Sequence, residues 1–119
     1  METRVINCKK QELNKRGIND FSQWIKGPVL YIGRDMTRYI PNAVGSKWGN
    51  PFKASKIESL ETRLNLYENH IRTTPELWSS LDELKNYAEL GCWCKPGPCH
   101  GDILLKLLKE KLCENSPNN

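Results

Sequence analysis

Three thiols and an imidazole fall within one short stretch, Cys92-Trp93-Cys94-Lys95-Pro96-Gly97-Pro98-Cys99-His100, and Gly101-Asp102 follow directly. Soft donors at this density suit two kinds of chemistry. As ligands, Cys92, Cys94, Cys99 and His100 could hold zinc or iron. Structural zinc, however, usually takes two separated ligand pairs, and adjacent Cys99 and His100 do not easily turn to one ion. As reactants, Cys99 at a helix start would be a thiol of depressed pKa, with His100 as its acid or base and Asp102 alongside. The plain reading is packing: Cys92 and Cys94 as small core residues, Cys99 and His100 shaping a turn, and Asp102 as a first-turn acid suited to the helix dipole.

A second group is Gly33-Arg34 together with Ser46-Lys47-Trp48-Gly49-Asn50-Pro51-Phe52. Arg34 offers the planar donor fork that matches phosphate or carboxylate. Asn50 reads a ligand edge or fixes a turn with Pro51, and Trp48 either stacks on a flat ring or pins its loop to the core.

The elements that must position these groups follow from periodicity. Thr3 to Cys8 alternates polar and apolar residues as a short strand does, and Leu13, Ile18, Phe21, Trp24 and Ile25 mark an amphipathic helix that Gly17 splits. Val29-Leu30-Tyr31-Ile32, bounded by Gly27-Pro28 and Gly33, predicts a buried strand. Residues 34–56 show no period, and so long a loop is uncommon without a function. Ser55-Lys56-Ile57-Glu58 has the spacing of a capping box before a helix through Leu60, Leu64, Tyr67 and Ile71. Thr74-Pro75-Glu76 starts a second helix through Leu84. Tyr87 to Cys94 reads as a strand that Pro96-Gly97-Pro98 stops, and Ile103, Leu104, Leu107, Leu108 and Leu112 mark a last helix.

Strands alternating with helices predict an α/β fold: a small single-domain Rossmann-like three-layer arrangement with a short, largely parallel sheet over residues 1–113, and a flexible tail over 114–119. Ligands of such sheets bind beyond the carboxyl ends of the strands. The loops after the second and third strands would then face each other across one crevice, with the backbone amides near Gly101 and Asp102 favouring an anion there.

Composition excludes several classes. The 119 residues are 38% apolar and 27% charged, with 8 Gly and 7 Pro, which is neither fibrous nor wholly disordered. No leader-like or membrane-spanning apolar run occurs, so an intracellular, cytoplasmic protein is expected, and there an odd count of 5 cysteines favours thiols over disulfides. The net charge of +4 is concentrated in residues 1–60, where 11 Lys and Arg face 5 Asp and Glu. Lys9, Lys10, Lys15, Arg16 and Lys26 could form a basic face for nucleic acid, or could be scattered solvated lysines. No membrane partner is expected.

Val29-Leu-Tyr-Ile-Gly-Arg34, Gly45-Ser-Lys-Trp-Gly-Asn-Pro-Phe52, the Pro75-Glu-Leu to Leu81-Asp-Glu-Leu84 segment and Gly91-Cys-Trp-Cys-Lys-Pro-Gly-Pro-Cys-His-Gly-Asp102 resemble the family called domain of unknown function 4326. That family occurs in bacteriophages, large DNA viruses, bacteria and some eukaryotes. The Leu13-Asn-Lys-Arg-Gly-Ile to Trp24 stretch is similar to the giant-virus and protist version. The resemblance implies that Gly33, Arg34, Ser46, Trp48, Gly49, Asn50, Pro51, Cys92, Trp93, Cys94, Pro96, Cys99, His100, Gly101 and Asp102 form one site. A more distant likeness is to the domain of unknown function 488 family, in which arginine stands at the position of Gly101. Both families look like small Rossmann-like domains of the kind that bind or process nucleotides. The expected function is therefore to bind or process a nucleotide-like or other anionic small molecule, with Gly33, Arg34, Ser46, Trp48, Gly49, Asn50 and Gly101 as binding residues. The alternatives are a metal-dependent nucleic-acid-binding module and a viral interaction module without catalysis.

Overall fold

The continuous apolar run at Val29, the extended stretch at Glu89 and the alternating run at Arg4 become the three strands of one sheet. The computed structural model describes residues 3–52, 59–93, 95 and 97–114, Glu114 by its backbone alone. The order is β1 (Arg4–Asn7), α1 (Lys10–Asn14), α2 (Phe21–Trp24), β2 (Val29–Tyr31), α3 (Leu60–Thr73), α4 (Pro75–Ser80), a 3-10 helix (Leu81–Asn86), β3 (Glu89–Cys92) and α5 (His100–Glu114). The sheet is parallel throughout, in the order β1-β3-β2. Arg4 and Val29 both stand opposite Glu89 at one end, while Asn7 pairs with Cys92 at the other, so the chain leaves all three strands on the same edge.

Side chains alternate across this sheet into two apolar clusters. Val5, Leu30, Ile32, Leu90 and Cys92 pack with Tyr67 and Ile71 of α3, Leu81 and Leu84 of the 3-10 helix, and Leu104 and Leu107 of α5. Ile6, Val29, Tyr31 and Trp93 pack with Leu13 of α1 and with Phe21 and Trp24 of α2. Gly91, in the central strand, is where the second cluster comes closest: a Cβ there would lie 2.2 Å from Cys8 Sγ and 2.3 Å from the Trp24 ring.

The split at Gly17 is present, with φ +78° between α1 and α2, and Asp20 caps α2 by accepting the Gln23 N–H at 3.0 Å. Two boundaries differ from the sequence reading. The second long helix tightens to 3-10 geometry after Ser80, where Ser79 and Ser80 hydroxyls both donate to the Glu76 carbonyl and compete with the helical bonds. β3 stops at Cys92 because β1, its neighbour, ends at Asn7, and Trp93 turns toward Phe21. α5 starts at His100, directly after Cys99, where the sequence reading places the helix start. The expected Ser55–Glu58 box lies outside the described residues; α3 begins at Leu60 with Ser59 Oγ accepting the Thr62 N–H.

The strand starts carry a charged network. Burial alone pushes the Glu89 carboxyl up, but donation from Trp24 Nε1 at 3.0 Å, Arg4 and Arg16 outweighs it and holds the carboxyl below its usual range. A depressed carboxyl contributes stability above the unfolded-state pKa of roughly 4.3, and that stability is lost as pH falls through the folded value. Denaturant titrations at pH 7 and pH 3 should therefore show an acid-side loss that shrinks in Glu89→Gln. At pH 7 this variant should cost about 1–2 kcal/mol, a modest figure because Arg4 and Arg16 stay solvated.

Candidate functional site

The loops that leave β2 and β3 are tied together by one hydroxyl. Tyr31 folds back over Gly33, where a Cβ would lie 2.4 Å from the hydroxyl, which explains the glycine. From there the Tyr31 hydroxyl donates to the Arg34 carbonyl at 2.6 Å and accepts from Trp93 Nε1 at 2.7 Å. Tyr31→Phe should remove both bonds, orphan the indole N–H and cost about 1–2 kcal/mol in a denaturation series.

Between and beneath these loops lies a cavity of about 430 Å³, within the range of small-molecule sites. Its walls include Gly33, Arg34, Asn50, Cys92, Cys99 and His100, so six of the candidates from both loops converge as the parallel topology requires. Trp93 and Phe52 add aromatic surface, and Arg63 and Leu64 from the first turns of α3 close one side. Among the described lining residues there is no carboxylate. The Arg34 guanidinium is exposed, and Arg63 Nε is buried without a hydrogen-bonding partner among the described residues.

Ser46, Trp48, Gly49, Gly101 and Asp102 do not line the cavity. Trp48 is 1% exposed, so its ring is core and not a stacking platform; its carbonyl accepts the Tyr67 hydroxyl at 2.6 Å. Ser46 Oγ donates to the Tyr31 carbonyl and accepts the Trp48 N–H, which fastens the loop to β2. Gly49 lets that turn approach the Gly33 carbonyl, 3.4 Å from where a Cβ would sit. Asn50 fixes its turn, with Oδ1 accepting the Phe52 N–H at 2.9 Å, and the residue also lines the cavity.

The start of α5 corrects two expectations. Cys99 is its N-cap: Cys99 Sγ accepts the Gly101 N–H at 3.2 Å, and Asp102 accepts the Cys99 N–H at 3.2 Å. This is a capping box built with a thiol and an aspartate. The Asp102 N–H goes to the Cys99 carbonyl, so the amides of Gly101 and Asp102 are spent inside the cap and not aimed at a ligand. The other Asp102 oxygen pairs with Lys95. Gly101 is buried, with an added Cβ only 2.9 Å from Ile32 and Val5 methyl groups, so it sets helix-to-sheet distance. Gly101→Ala should cost about 1–3 kcal/mol by overpacking, read as a lowered denaturant midpoint.

The Cys99 thiol is not depressed either. Its contact with Cys92 Sγ at 3.3 Å, then burial, push it up and outweigh the two backbone N–H contacts, so it is a protonated capping thiol at neutral pH. His100 is 8% exposed, and burial lowers its pKa against the opposing pulls of the Ile32 carbonyl and Asp102, so the imidazole is neutral at pH 7. Its Nε2 lies 2.7 Å from the Ile32 carbonyl oxygen. Among the described residues no group of three or more His, Cys, Asp or Glu is placed to hold a metal, and Cys94 lies outside them.

On the N-terminal face, Lys15 pairs with Glu12 at 3.1 Å and Arg16 with Glu89 at 3.0 Å, while Lys9, Lys10 and Lys26 are exposed. A larger groove of about 590 Å³ opens at the strand starts, but the buried Glu89 at its wall already takes Arg4, Arg16 and Trp24. It offers an anion far less than the cavity at the other sheet edge. No described helix is long and apolar enough to cross a membrane.

A small α/β chain with a three-stranded parallel sheet and a cationic cavity at its carboxyl edge is thus the class defined by these observations. The chain belongs to the domain of unknown function 4326 family, whose model matches residues 9–110. No curated protein and no solved structure matches it.

Arg63 escaped the sequence reading because it sits at an unremarkable helical position. The available signal was electrostatic: an arginine early in a helix opposes the macrodipole and calls for a counter-charge.

Proposed function

We propose that the cavity at the carboxyl edge of the sheet binds an anionic, nucleotide-like small molecule. The observation that carries this reading is the pairing of Arg34 and Arg63 on one cavity without a lining carboxylate among the described residues, one of them with a buried, unpartnered Nε. Arg34 is exposed and Arg63 half-buried, and an oxyanion with two acceptor atoms answers both arginines. The first turns of α3 border the same space and add the positive end of that helix. Trp93 and Phe52 supply the apolar surface that a flat ring needs. The two apolar clusters either side of β3 favour a Rossmann-like three-layer arrangement, in which ligands sit at this edge.

The test is thermal stabilisation by the four ribonucleoside 5′-monophosphates and by inorganic phosphate. A saturable rise for at least one nucleotide, lost in Arg34→Ala and Arg63→Ala, is expected. No rise for any of them, or equal rises in both variants, contradicts the reading.

A further inference from the structure

His100 is held by two independent contacts, and together they fix which of its nitrogens can meet a ligand. A carbonyl oxygen only accepts, so an Nε2 at 2.7 Å from the Ile32 oxygen must carry the proton. The neutral ring then has Nδ1 unprotonated, an acceptor without a hydrogen-bonding partner among the described residues. The Tyr67 ring packs against the imidazole in a T-shaped arrangement, 5.1 Å between centroids at 80°. His100 lines the same cavity as Asn50 and Trp93, on the opposite loop from Arg34.

Two cations and one fixed neutral acceptor make a composite requirement. An anion alone satisfies Arg34 and Arg63 and leaves Nδ1 unanswered. A ligand carrying a hydrogen-bond donor as well answers all three, and discrimination of this kind is strong because a site built for a donor leaves its acceptor unpaired with the wrong ligand.

From this geometry we infer that the cavity selects anions that also present an N–H or O–H donor to His100 Nδ1, so that His100 is a specificity-determining residue. The ligand class is a phosphorylated compound with a donor-bearing ring or chain, such as a nucleotide whose base carries an amide N–H. The inference rests on the proposal that this cavity is the ligand site.

Calorimetric titration with sulfate, a dianion with no donor, and with guanosine 5′-monophosphate, whose base carries a ring N–H and an exocyclic amino group, separates the two claims. His100→Gln keeps a donor for the Ile32 carbonyl and loses the Nδ1 acceptor. It is expected to leave sulfate affinity unchanged and to weaken the nucleotide about tenfold, the loss of one neutral hydrogen bond. In the wild type, long-range nitrogen spectra of the imidazole should show unprotonated Nδ1 shifting with the nucleotide and not with sulfate, a readout that a purely structural histidine does not give. Full nucleotide affinity in His100→Gln, or an Nδ1 signal that is protonated or unmoved, overturns the inference while sulfate binding keeps the cavity reading intact. If the wild type binds neither probe, both fall.

Discussion

Arg63→Ala should weaken binding of phosphate and nucleoside monophosphates at least about tenfold and leave the folded chain no less stable than the wild type. The two halves of that result have one cause. The Arg63 Nε is buried with no acceptor among the described residues, and the residue lies in the early turns of α3, where a positive charge opposes the helix dipole. Without ligand, therefore, its charge is a cost, on the order of 0.5–1 kcal/mol from the dipole alone. With ligand it becomes half of a charge-assisted pair with Arg34, and such hydrogen bonds are worth roughly 1.5–3 kcal/mol each. Affinity should fall at least about tenfold, while the midpoint of urea unfolding stays level or rises. A midpoint lowered by more than about 1 kcal/mol equivalent would show that Arg63 is a structural residue and not a binding one.

Trp48→Ala should cost about 3–5 kcal/mol, the usual range for emptying a core tryptophan site. Its ring is wholly buried with Tyr67, Leu81 and Leu84 in the larger cluster, and its carbonyl is the acceptor for the buried Tyr67 hydroxyl. Few domains of this size have more than 5–15 kcal/mol in total. The loss should also reach the site. Ser46 and Trp48 hold the loop that carries Asn50 and Phe52 into the cavity, so ligand affinity should fall in step with stability. Chemical denaturation followed through Trp24 and Trp93 fluorescence checks the first statement. Trp48→Phe, which keeps an aromatic ring, should recover most of both losses.

Much of this architecture was legible in the residues. β2 is a continuous apolar run between glycines, so the strand was plain although it lies at the sheet edge with Val29 and Leu30 half-buried, and the alternation of strand and helix gave a parallel sheet whose carboxyl edge had to gather the loops at Arg34 and Cys99. What stayed hidden depended on contacts between distant residues. Tyr31 read as a core strand residue, because nothing local shows that its hydroxyl reaches Arg34 and Trp93. The start of α5 at Cys99 was legible, but Cys99 and Asp102 also read as reacting groups, and only the contacts show their side chains closing a capping box. Trp48 admitted a stacking role until its burial removed it. Arg63 could be placed only once α3 was seen to present its first turns to the cavity.

Where an anion binds is the claim on which the account turns, and backbone amide shift mapping during titration with a nucleoside 5′-monophosphate locates it most directly. Saturable shifts concentrated at Gly33, Arg34, Asn50, Arg63 and His100 are the predicted result. Shifts concentrated instead at Lys9, Lys10, Arg16 and Lys26, or none at millimolar ligand, would contradict it.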